Sequence, residues 1–449
     1  MIITDIKRNS GNTIGHVGLA LIGEMARISG LDTLADRVGP KKQPQIKESE
    51  IFRTLAGLMS QGKTDFDHVR EYTGDDFFAT SLGLSRVPSA EILRQRFQTS
   101  ALNTEIAKEL PRCSVELWKR TGMSPERIEV STDDRTENWV RLDIDVSIYD
   151  NSDTKKENAA PTYDGRFGFA PIFAHLGGGW LVNAELRPGS SHSSCEGTDS
   201  FILESLGYAR QLVDSKILVV ADSGFDSQER VRVLLEAPRT DFIIKHNLRR
   251  EPVEGWLKTA KENSVRVEDY KRSRERGRIY RGWVTREVGK GNPAVRQVFE
   301  VTEVLSKNGR PFLVPEVRVC VLWTSLELPP EDVLMLYRKR GTSEQYHSEF
   351  KTEMDMERLP SGKYAVNVTF FRLGMLVYNM LRVASVDMAL GRALGLKKAS
   401  RRRTKTVMRS MMNICARITR HSRKVILHLS CPKPWFDVVS SLFYRLKTA

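Results

Sequence analysis

The chain contains 449 residues, with 70 lysines and arginines against 56 aspartates and glutamates, giving a net charge of +14 at pH 7. That length exceeds the roughly 250–300 residues at which a single hydrophobic core stops growing, so we expect more than one domain. A hydrophobic content of 40% and a charged content of 28% are typical of globular proteins and exclude wholesale disorder. No apolar stretch reaches the roughly 20 residues that span a membrane, and the positive charge favours nucleic acid over a membrane as partner.

The five cysteines are spread along the chain as Cys113, Cys195, Cys320, Cys415 and Cys431. They form no Cys-x-x-Cys motif and no cluster with histidine, which argues against a thiolate zinc site and against a disulfide framework. Residues 1–12 lack the basic-then-apolar pattern of a signal peptide. We therefore expect a cytoplasmic protein in a reducing compartment.

The first part of the chain, up to about Ser124, is predicted to be mostly helical. Apolar residues recur three or four positions apart in Ile51–Met59 and in Ala101–Trp118. Pro111 is expected to interrupt the second of these helices, because proline lacks the backbone N–H that a helix interior needs.

Two further helices are predicted over Asp75–Leu82 and after Ser89, with Gly83 between them. Ser89 is a favourable N-cap residue, and Arg94 and Arg96 follow it on the second helix. The pair is either a helix-turn-helix that reads DNA or a helical hairpin that only builds the core.

From about Arg127 the pattern changes to strands and helices. Strands are predicted over Trp139–Tyr149, Phe167–Leu176, Gly179–Arg187, Lys216–Ala221 and Asp241–Lys245, and helices over Asp199–Val213 and Ser227–Glu236. Antiparallel strands followed by alternating helix and strand indicate a mixed α/β sheet.

Residues from about Leu248 to Leu328 interrupt that alternation. Strands in which apolar and charged residues alternate are predicted over Ser264–Tyr270, Arg278–Glu287, Val295–Val304 and Val317–Trp323. This pattern is typical of an antiparallel insertion with one solvated face. Helices return over Pro330–Lys351 and Ala365–Val383.

The stretch between Asp387 and Asp437 includes no acidic residue. It contains many cations: Lys397, Lys398, Arg401, Arg402, Arg403, Lys405, Arg409, Arg417, Arg420, Arg423 and Lys424. Apolar residues lie between them at nearly helical spacing, so we expect a helix or helix pair over 397–424 with one cationic face. A solvated charged face is the alternative, but the missing acidic residues favour a face that binds DNA phosphates.

Four polar residues recur along the helix predicted over Pro330–Lys351. Tyr337, Arg340, Glu344 and Lys351 lie at offsets of 0, 3, 7 and 14. A helix that turns about 100° per residue would place them within roughly 60° of one another. Such a stripe suits a carboxylate that holds a metal beside cations that bind phosphate, or equally an exposed helix with an Arg340–Glu344 salt bridge.

Aspartates lie on one predicted strand and at the end of another. In the segment Leu142–Ser147, alternation places Asp143 and Asp145 on one face, where they need cations, solvent or a metal as partners. Asp222 follows a buried apolar run, and carboxyl ends of such strands are where α/β sheets place functional groups. The alternatives are a solvated edge strand for the first pair and a turn-capping aspartate at position 222.

Together these segments resemble one family. Asp145-Val-Ser, Asp222-Ser-Gly-Phe and the Tyr-x-x-Arg-x-x-x-Glu-x-x-x-x-x-x-Lys spacing are similar to the three catalytic regions of bacterial insertion-sequence DDE transposases of the insertion-sequence-four type. Flanking segments resemble its thirteen-eighty branch: Val87–Arg94, Leu186–Gly189, Asn367 and Arg372. The resemblance runs from about Asp65 to the basic tail.

The resemblance implies an α/β fold with an RNase H-like mixed-sheet core, an antiparallel β insertion, and helical N-terminal and basic helical C-terminal regions. The implied organisation has five parts: 1–127 helical and binding DNA ends; 128–247 the first part of the core; 248–329 the β-rich insertion; 330–386 the second part of the core; and 387–449 the basic helical region. Asp145, Asp222 and Glu344 would be the catalytic metal ligands, with Asp145 chosen over Asp143 because a small hydroxyl residue, Ser147, follows it by two places.

Three carboxylates without a Cys or His set favour Mg²⁺, with Mn²⁺ possible in its place, over zinc. Two such ions can activate a water or a 3′-hydroxyl and stabilise the leaving oxygen. The resemblance implies that Tyr337, Arg340 and Lys351 contact DNA phosphates. Further DNA contacts are expected from Arg94, Arg96, Arg401, Arg402 and Arg403. Trp283 or Trp323 could stack on a flipped base, although core packing is favoured for both.

The expected function is DNA transposition: cleavage at the terminal inverted repeats of an insertion sequence and joining of the 3′ ends to target DNA. The partners are therefore double-stranded DNA and, because two ends must be paired, a second copy of the chain in a homodimer. An RNase H-like nuclease that does not transpose, and a non-catalytic repressor that binds DNA ends, are the alternatives.

Overall fold

The computed structural model describes residues 13–39, 45–131, 136–249, 251–289, 293–390, 399–421 and 424–449. The chain divides into two compact units. One, the helical unit, comprises residues 1–123, 153–157 and 347–449, and the other, the sheet unit, comprises residues 124–152 and 158–346. Among the described residues, no helix combines the length and apolar character that a bilayer crossing requires.

Most of the predicted helices are present, but the helix predicted over Pro330–Lys351 is divided into shorter segments. The helices are α1 (Leu19–Ile28), α2 (Leu31–Val38), α3 (Glu48–Met59), α4 (Asp76–Leu82), α5 (Ala90–Ala101), α6 (Thr104–Thr121), α7 (Thr198–Arg210), α8 (Gln228–Glu236), α9 (Val253–Asn263), α10 (Pro330–Arg338), α11 (Ser343–Ser348), α12 (Tyr364–Leu390), α13 (Thr404–Val407) and α14 (Lys433–Thr448). Short 3₁₀ turns span Phe66–Tyr72, Ser223–Phe225 and Lys339–Thr342, and π turns span Glu349–Glu353 and Met408–Met412.

The strands include every strand that alternation predicts, several of them longer than expected. They are β1 (Thr13–Ile14), β2 (Arg127–Ser131), β3 (Thr136–Val146), β4 (Tyr149–Asp150), β5 (Ala160–Pro161), β6 (Phe167–Phe169), β7 (Ile172–Leu176), β8 (Trp180–Glu185), β9 (Ile217–Ala221), β10 (Thr240–Lys245), β11 (Ser264–Arg272), β12 (Glu275–Glu287), β13 (Ala294–Lys307), β14 (Arg310–Thr324), β15 (Ala416–His421) and β16 (Lys424–Leu429). The run predicted over Phe167–Leu176 is divided into β6 and β7.

The sheet unit is built on one large mixed sheet, which confirms the predicted mixed α/β class. Its strand order is β11-β12-β13-β14-β10-β9-β3-β7-β8, with β2 paired to β3. Strands β3, β9 and β10 run parallel, while β7 and β8 are antiparallel to their neighbours. The fully buried apolar run of β9 explains its central place, because a strand covered on both faces cannot alternate polar with apolar residues.

The segment from β11 to β14 forms an antiparallel extension of that sheet. Helix α9 packs against β12, β13 and β14 and covers one of its faces. The core beneath the helix contains Trp256, Phe299 and Val301, all buried. The other face carries the charged members of the alternating pattern, as the sequence predicts for an antiparallel sheet with one solvated side.

The helical unit is organised around α12, which packs on α3, α5 and α6. The predicted interruption at Pro111 is wrong, because α6 continues through it from Thr104 to Thr121. Proline in a helix interior costs about 3 kcal/mol. The buried side chains of Ile106 and Leu110 before it and Leu117 after it offset that cost by packing on one continuous apolar face.

The helix predicted over 397–424 is also partly wrong. Helical structure ends at Met412, and β15 and β16 then form an antiparallel hairpin that pairs with β1. Ala416 and Ile418 are buried while Arg417 is exposed, so this part has the two-residue period of a strand rather than a helical period. Lys397, Lys398 and Arg423 lie outside the described residues.

Candidate active site

Parallel pairing of β3 and β9 brings two aspartates together at one edge of the sheet. The last paired residues are Ile144 and Ala221. The next residue on each strand is Asp145 and Asp222, so both carboxylates emerge side by side at the carboxyl ends of the strands. Asp222 also caps the turn that follows, because its Oδ1 accepts a hydrogen bond from the Gly224 N–H at 2.9 Å. The turn-capping role and the placement beside Asp145 are therefore both present.

Arg340 lies between the two carboxylates. Its Nη2 is 2.6 Å from Asp145 Oδ1 and 3.8 Å from Asp222 Oδ2. Burial raises the pKa of Asp222, and the neighbouring Asp145 charge raises it further, against the lowering effect of Arg340. Burial alone would lower the pKa of Arg340, but the two aspartates reverse this and keep the guanidinium charged. The two carboxylates thus already have a cation beside them.

Asp143 lies in a different environment from Asp145. It is buried and paired with Arg141, whose Nε is 2.9 Å from Asp143 Oδ2. Burial raises the pKa of Asp143 to about 6, against the lowering effect of Arg141. Asp145 instead is partly exposed and faces Arg340. Of the two aspartates, Asp145 is therefore the one that contacts Arg340, whereas Asp143 is paired with Arg141.

Glu344 lies on α11, a short helix that begins at the buried Ser343. The Tyr346 ring packs against Gly179 in the turn between β7 and β8 and so fixes this helix there. The contact is close, because a Cβ on Gly179 would lie 2.5 Å from the ring. Glu344 itself is exposed. Across the described ranges, no three His, Cys, Asp or Glu side chains cluster closely enough to hold a metal ion. The structure therefore brings Asp145 and Asp222 together and leaves Glu344 outside such a cluster.

The expected single polar stripe is not continuous, because a 3₁₀ turn over Lys339–Thr342 separates α10 from α11. The angle per residue changes there, so Tyr337 and Glu344 do not follow one helical ladder. Tyr337 is half-buried, and burial raises its pKa to about 12. Arg340 pairs with Asp145 and not with Glu344, so the predicted i,i+4 salt bridge is not formed. Lys351 lies in the π turn, with its Nζ 2.9 Å from Glu357 Oε1.

The two arginines of the predicted DNA-reading helix both form ion pairs. Arg94 Nη2 lies 2.9 Å from Asp67 Oδ2, and both side chains are exposed. Arg96 pairs with the buried Glu48 and donates to the Ile46 carbonyl at 3.2 Å. Ser89 caps the helix as expected, by accepting from the Ile92 N–H. Arg96 thus contributes to packing within the helical unit, and groove reading stays a prediction.

The arginine run 401–403 also has acidic partners, which the local sequence does not reveal. Arg401 pairs with Glu349, which is fully buried, and Arg403 Nε lies 2.7 Å from Glu353 Oε1. The backbone N–H of Arg402 donates to Ser385 Oγ at 2.8 Å. Both glutamates lie in the π turn that follows α11. The inference that these cations lack compensating acids is therefore wrong: the acids come from about 50 positions earlier in the chain.

A second network that sequence reasoning missed holds the loop after Asp222. Asp226 Oδ2 accepts hydrogen bonds from His246 Nδ1 and from the Asn247 N–H, both at 2.8 Å. His246 Nε2 lies 3.0 Å from Glu251 Oε1. The only signal in the sequence was a polar histidine directly after the buried strand β10. Of the two tryptophans considered for base stacking, Trp323 is buried, whereas Trp283 is partly exposed beneath the Arg296 guanidinium.

The donor set at the sheet edge fits a hard divalent cation. Asp145 and Asp222 supply carboxylate oxygens, the ligands that Mg²⁺ and Mn²⁺ prefer. The Arg340 guanidinium already provides positive charge between them.

A family model described as "Transposase DDE domain group 1" matches residues 6–449. The chain belongs to this family. The transposase is thus a member of a class of enzymes that cleave DNA and transfer strands. No curated protein sequence matches it. A structural comparison gives a piggyBac transposase synaptic complex with hairpin DNA, with a TM-score of 0.41 and 11% identity, covering 96% of this chain and 81% of the other.

Proposed function

We propose that this transposase cuts phosphodiester bonds at the terminal inverted repeats of a bacterial insertion sequence and joins the 3′ ends to target DNA. The observation that carries the proposal is the pair Asp145 and Asp222. They lie side by side at the ends of parallel strands, in a chain that belongs to a DDE transposase family. The strand order β8-β7-β3-β9-β10, antiparallel and then parallel, supports an RNase H-like core. The Tyr337, Arg340, Glu344 and Lys351 spacing supports the insertion-sequence-four branch.

Asp145 and Asp222 would hold Mg²⁺ or Mn²⁺, with Glu344 as the third ligand. When bound, two such ions activate the attacking water or 3′-hydroxyl and stabilise the leaving oxygen. The chain's own groups orient the DNA. Arg340, which lies 2.6 Å from Asp145 without metal, would donate to a phosphate beside the scissile bond once a bound ion displaces it. Tyr337 and Lys351 are proposed to bind neighbouring phosphates.

We propose that residues 1–127 bind the DNA ends and that 128–247 and 330–386 form the catalytic core, interrupted by the insertion 248–329. The basic region 387–449 would add phosphate contacts. Pairing two ends requires two active sites, so we propose a homodimer on DNA, in the bacterial cytoplasm at the nucleoid. These assignments rest on analogy within the family.

The proposal is tested with purified protein and a duplex carrying the inverted repeat that flanks its gene. The wild type should cut at the repeat end and join it to a plasmid with Mg²⁺ or Mn²⁺, and not with Ca²⁺ or EDTA. Glu344→Gln should bind the duplex and fail to cut, whereas Glu229→Gln, an exposed helical glutamate elsewhere in the same unit, should cut normally. Cutting without joining would favour the nuclease, and binding without cutting by the wild type would favour the repressor.

A further inference from the structure

The hairpin of β13 and β14 carries a large bulge near its tip. Ser306 pairs with Pro311 and Val304 pairs with Glu316, so the four residues Phe312–Pro315 stand opposite the single residue Leu305. The turn itself is a tight one, with Asn308 and Gly309 both at positive φ. Proline at either side of the bulge limits backbone freedom. The backbone of the bulge is therefore conformationally restricted.

The bulge exposes apolar side chains to solvent. Leu313 is fully exposed, Val314 is 78% exposed, and Phe312 and Leu305 are more than a third exposed. This end of β14 is also an edge within the described part of the sheet, since β10 pairs only with Leu322–Thr324 at the far end. Sheet edges in monomeric proteins usually carry charges and not large apolar groups. A contiguous apolar protrusion of this kind indicates a binding element.

Exposed arginines lie at the same end of the sheet as the bulge. The turns β11–β12 and β13–β14 lie at the same end of the four strands, since Glu275 pairs with Lys307. Strands lie about 4.8 Å apart, so this end of the sheet is only about 14 Å wide. It carries four exposed arginines whose guanidinium groups form no hydrogen bond or ion pair with any described residue: Arg272, Arg274, Arg278 and Arg310.

We propose that Phe312–Pro315 is an apolar wedge that inserts between base pairs from the minor groove of duplex DNA, while the exposed arginines bind the flanking phosphates. Apolar wedges beside Arg and Lys unstack a base step and bend the duplex. A second copy of this chain is the competing occupant, but the unpaired arginines at the same tip would repel their counterparts there, and they complement a polyanion. The inference rests on the proposed function only in taking DNA as the ligand.

The test uses the full chain and a 30-base-pair duplex of random sequence with a central TA step, which unstacks readily. Binding is followed by fluorescence anisotropy and bending by energy transfer between dyes at the two ends. The wedge variant is Leu313→Ser with Val314→Ser. The matched control is Val265→Ser with Val267→Ser, which removes two other exposed valines from β11 of the same sheet. A charge variant combines Arg274→Ala with Arg310→Ala.

The wedge variant should lose about tenfold in affinity, equivalent to about 1.4 kcal/mol, and should lose the bending signal with an unchanged salt slope. The charge variant should lower the slope of log affinity against log salt by about 2, at about 0.9 per phosphate. The control pair should match the wild type. Unchanged bending in the wedge variant, or a change only in its oligomeric mass by light scattering, would overturn the wedge. Failure of the wild type to bind any duplex would instead refute the proposed function.

Discussion

Replacing Arg340 by alanine should tighten Mn²⁺ binding to the DNA-free protein. The guanidinium lies where a cation would contact Asp145 and Asp222, and the side chains of Arg340 and Asp145 are only 18% and 13% exposed. A bound ion must displace it. Two unit charges about 4 Å apart interact by about 4 kcal/mol at an effective dielectric constant near 20, and removing one partner of a buried pair costs about 3–5 kcal/mol. We take about 3 kcal/mol as the interaction of Arg340 with the aspartates that Mn²⁺ must replace. At about 1.4 kcal/mol per tenfold change, its loss should raise the Mn²⁺ affinity about a hundredfold.

The assay is a titration of Mn²⁺ followed by electron paramagnetic resonance of the free ion. Thermal unfolding is measured with and without the metal. Arg340→Ala should be less stable than the wild type without metal and should recover much of that loss with saturating Mn²⁺. Arg338→Ala, an exposed arginine on α10 that pairs with Glu300, serves as the matched control and should change neither quantity. Equal Mn²⁺ affinity in the wild type and a folded Arg340→Ala protein would refute the reasoning.

Two further predictions concern an ion-pair network in the helical unit and a histidine network in the sheet unit. Arg401→Ala should lower the free energy of unfolding by about 3–5 kcal/mol in urea, because it leaves the fully buried Glu349 without its cation. Arg403→Ala removes a more exposed ion pair and should cost about 1 kcal/mol or less; equal losses would contradict the assignment. Burial lowers the pKa of His246, but Asp226 and Glu251 outweigh it, and the folded pKa is raised. The histidine should therefore stabilise the fold fully below about pH 6.5 and lose this contribution as pH rises through the folded pKa, a pH dependence that His246→Gln should abolish in urea unfolding.

The strands and the pair of aspartates could be predicted from the sequence because their signals are local. Two-residue alternation marks β11 to β14, and a buried apolar run marks β9. Asp222 follows such a run, at the kind of strand end where functional groups collect in α/β sheets. Asp145 is assigned by the resemblance of Asp145-Val-Ser to the family motif. Both aspartates of the site could therefore be identified from local sequence.

The partners of the cations were not visible, for two physical reasons. The Arg340 position was inferred from an unbroken helix, and the 3₁₀ turn at Lys339–Thr342 redirects its side chain to Asp145. Arg401 and Glu349 are separated by 52 positions, and no periodicity links residues that only tertiary folding brings together. The hairpin of β15 and β16 was missed because a few apolar residues can satisfy a helical and a two-residue period equally well.

The helical unit is assembled from segments at opposite ends of the sequence, which affects the order of folding during synthesis. Helix α12 packs on α3, α5 and α6, and Arg372 donates to the Ala107 carbonyl at 2.8 Å, 265 positions away. The first helices emerge from the ribosome with their apolar faces uncovered, whereas the sheet unit is complete once Tyr346 has emerged. A fragment that stops before α12 would leave those faces exposed and prone to aggregation. Truncation at the start of the sheet unit is therefore a poor route to an isolated N-terminal module, and chaperone protection would be needed until the later helix arrives.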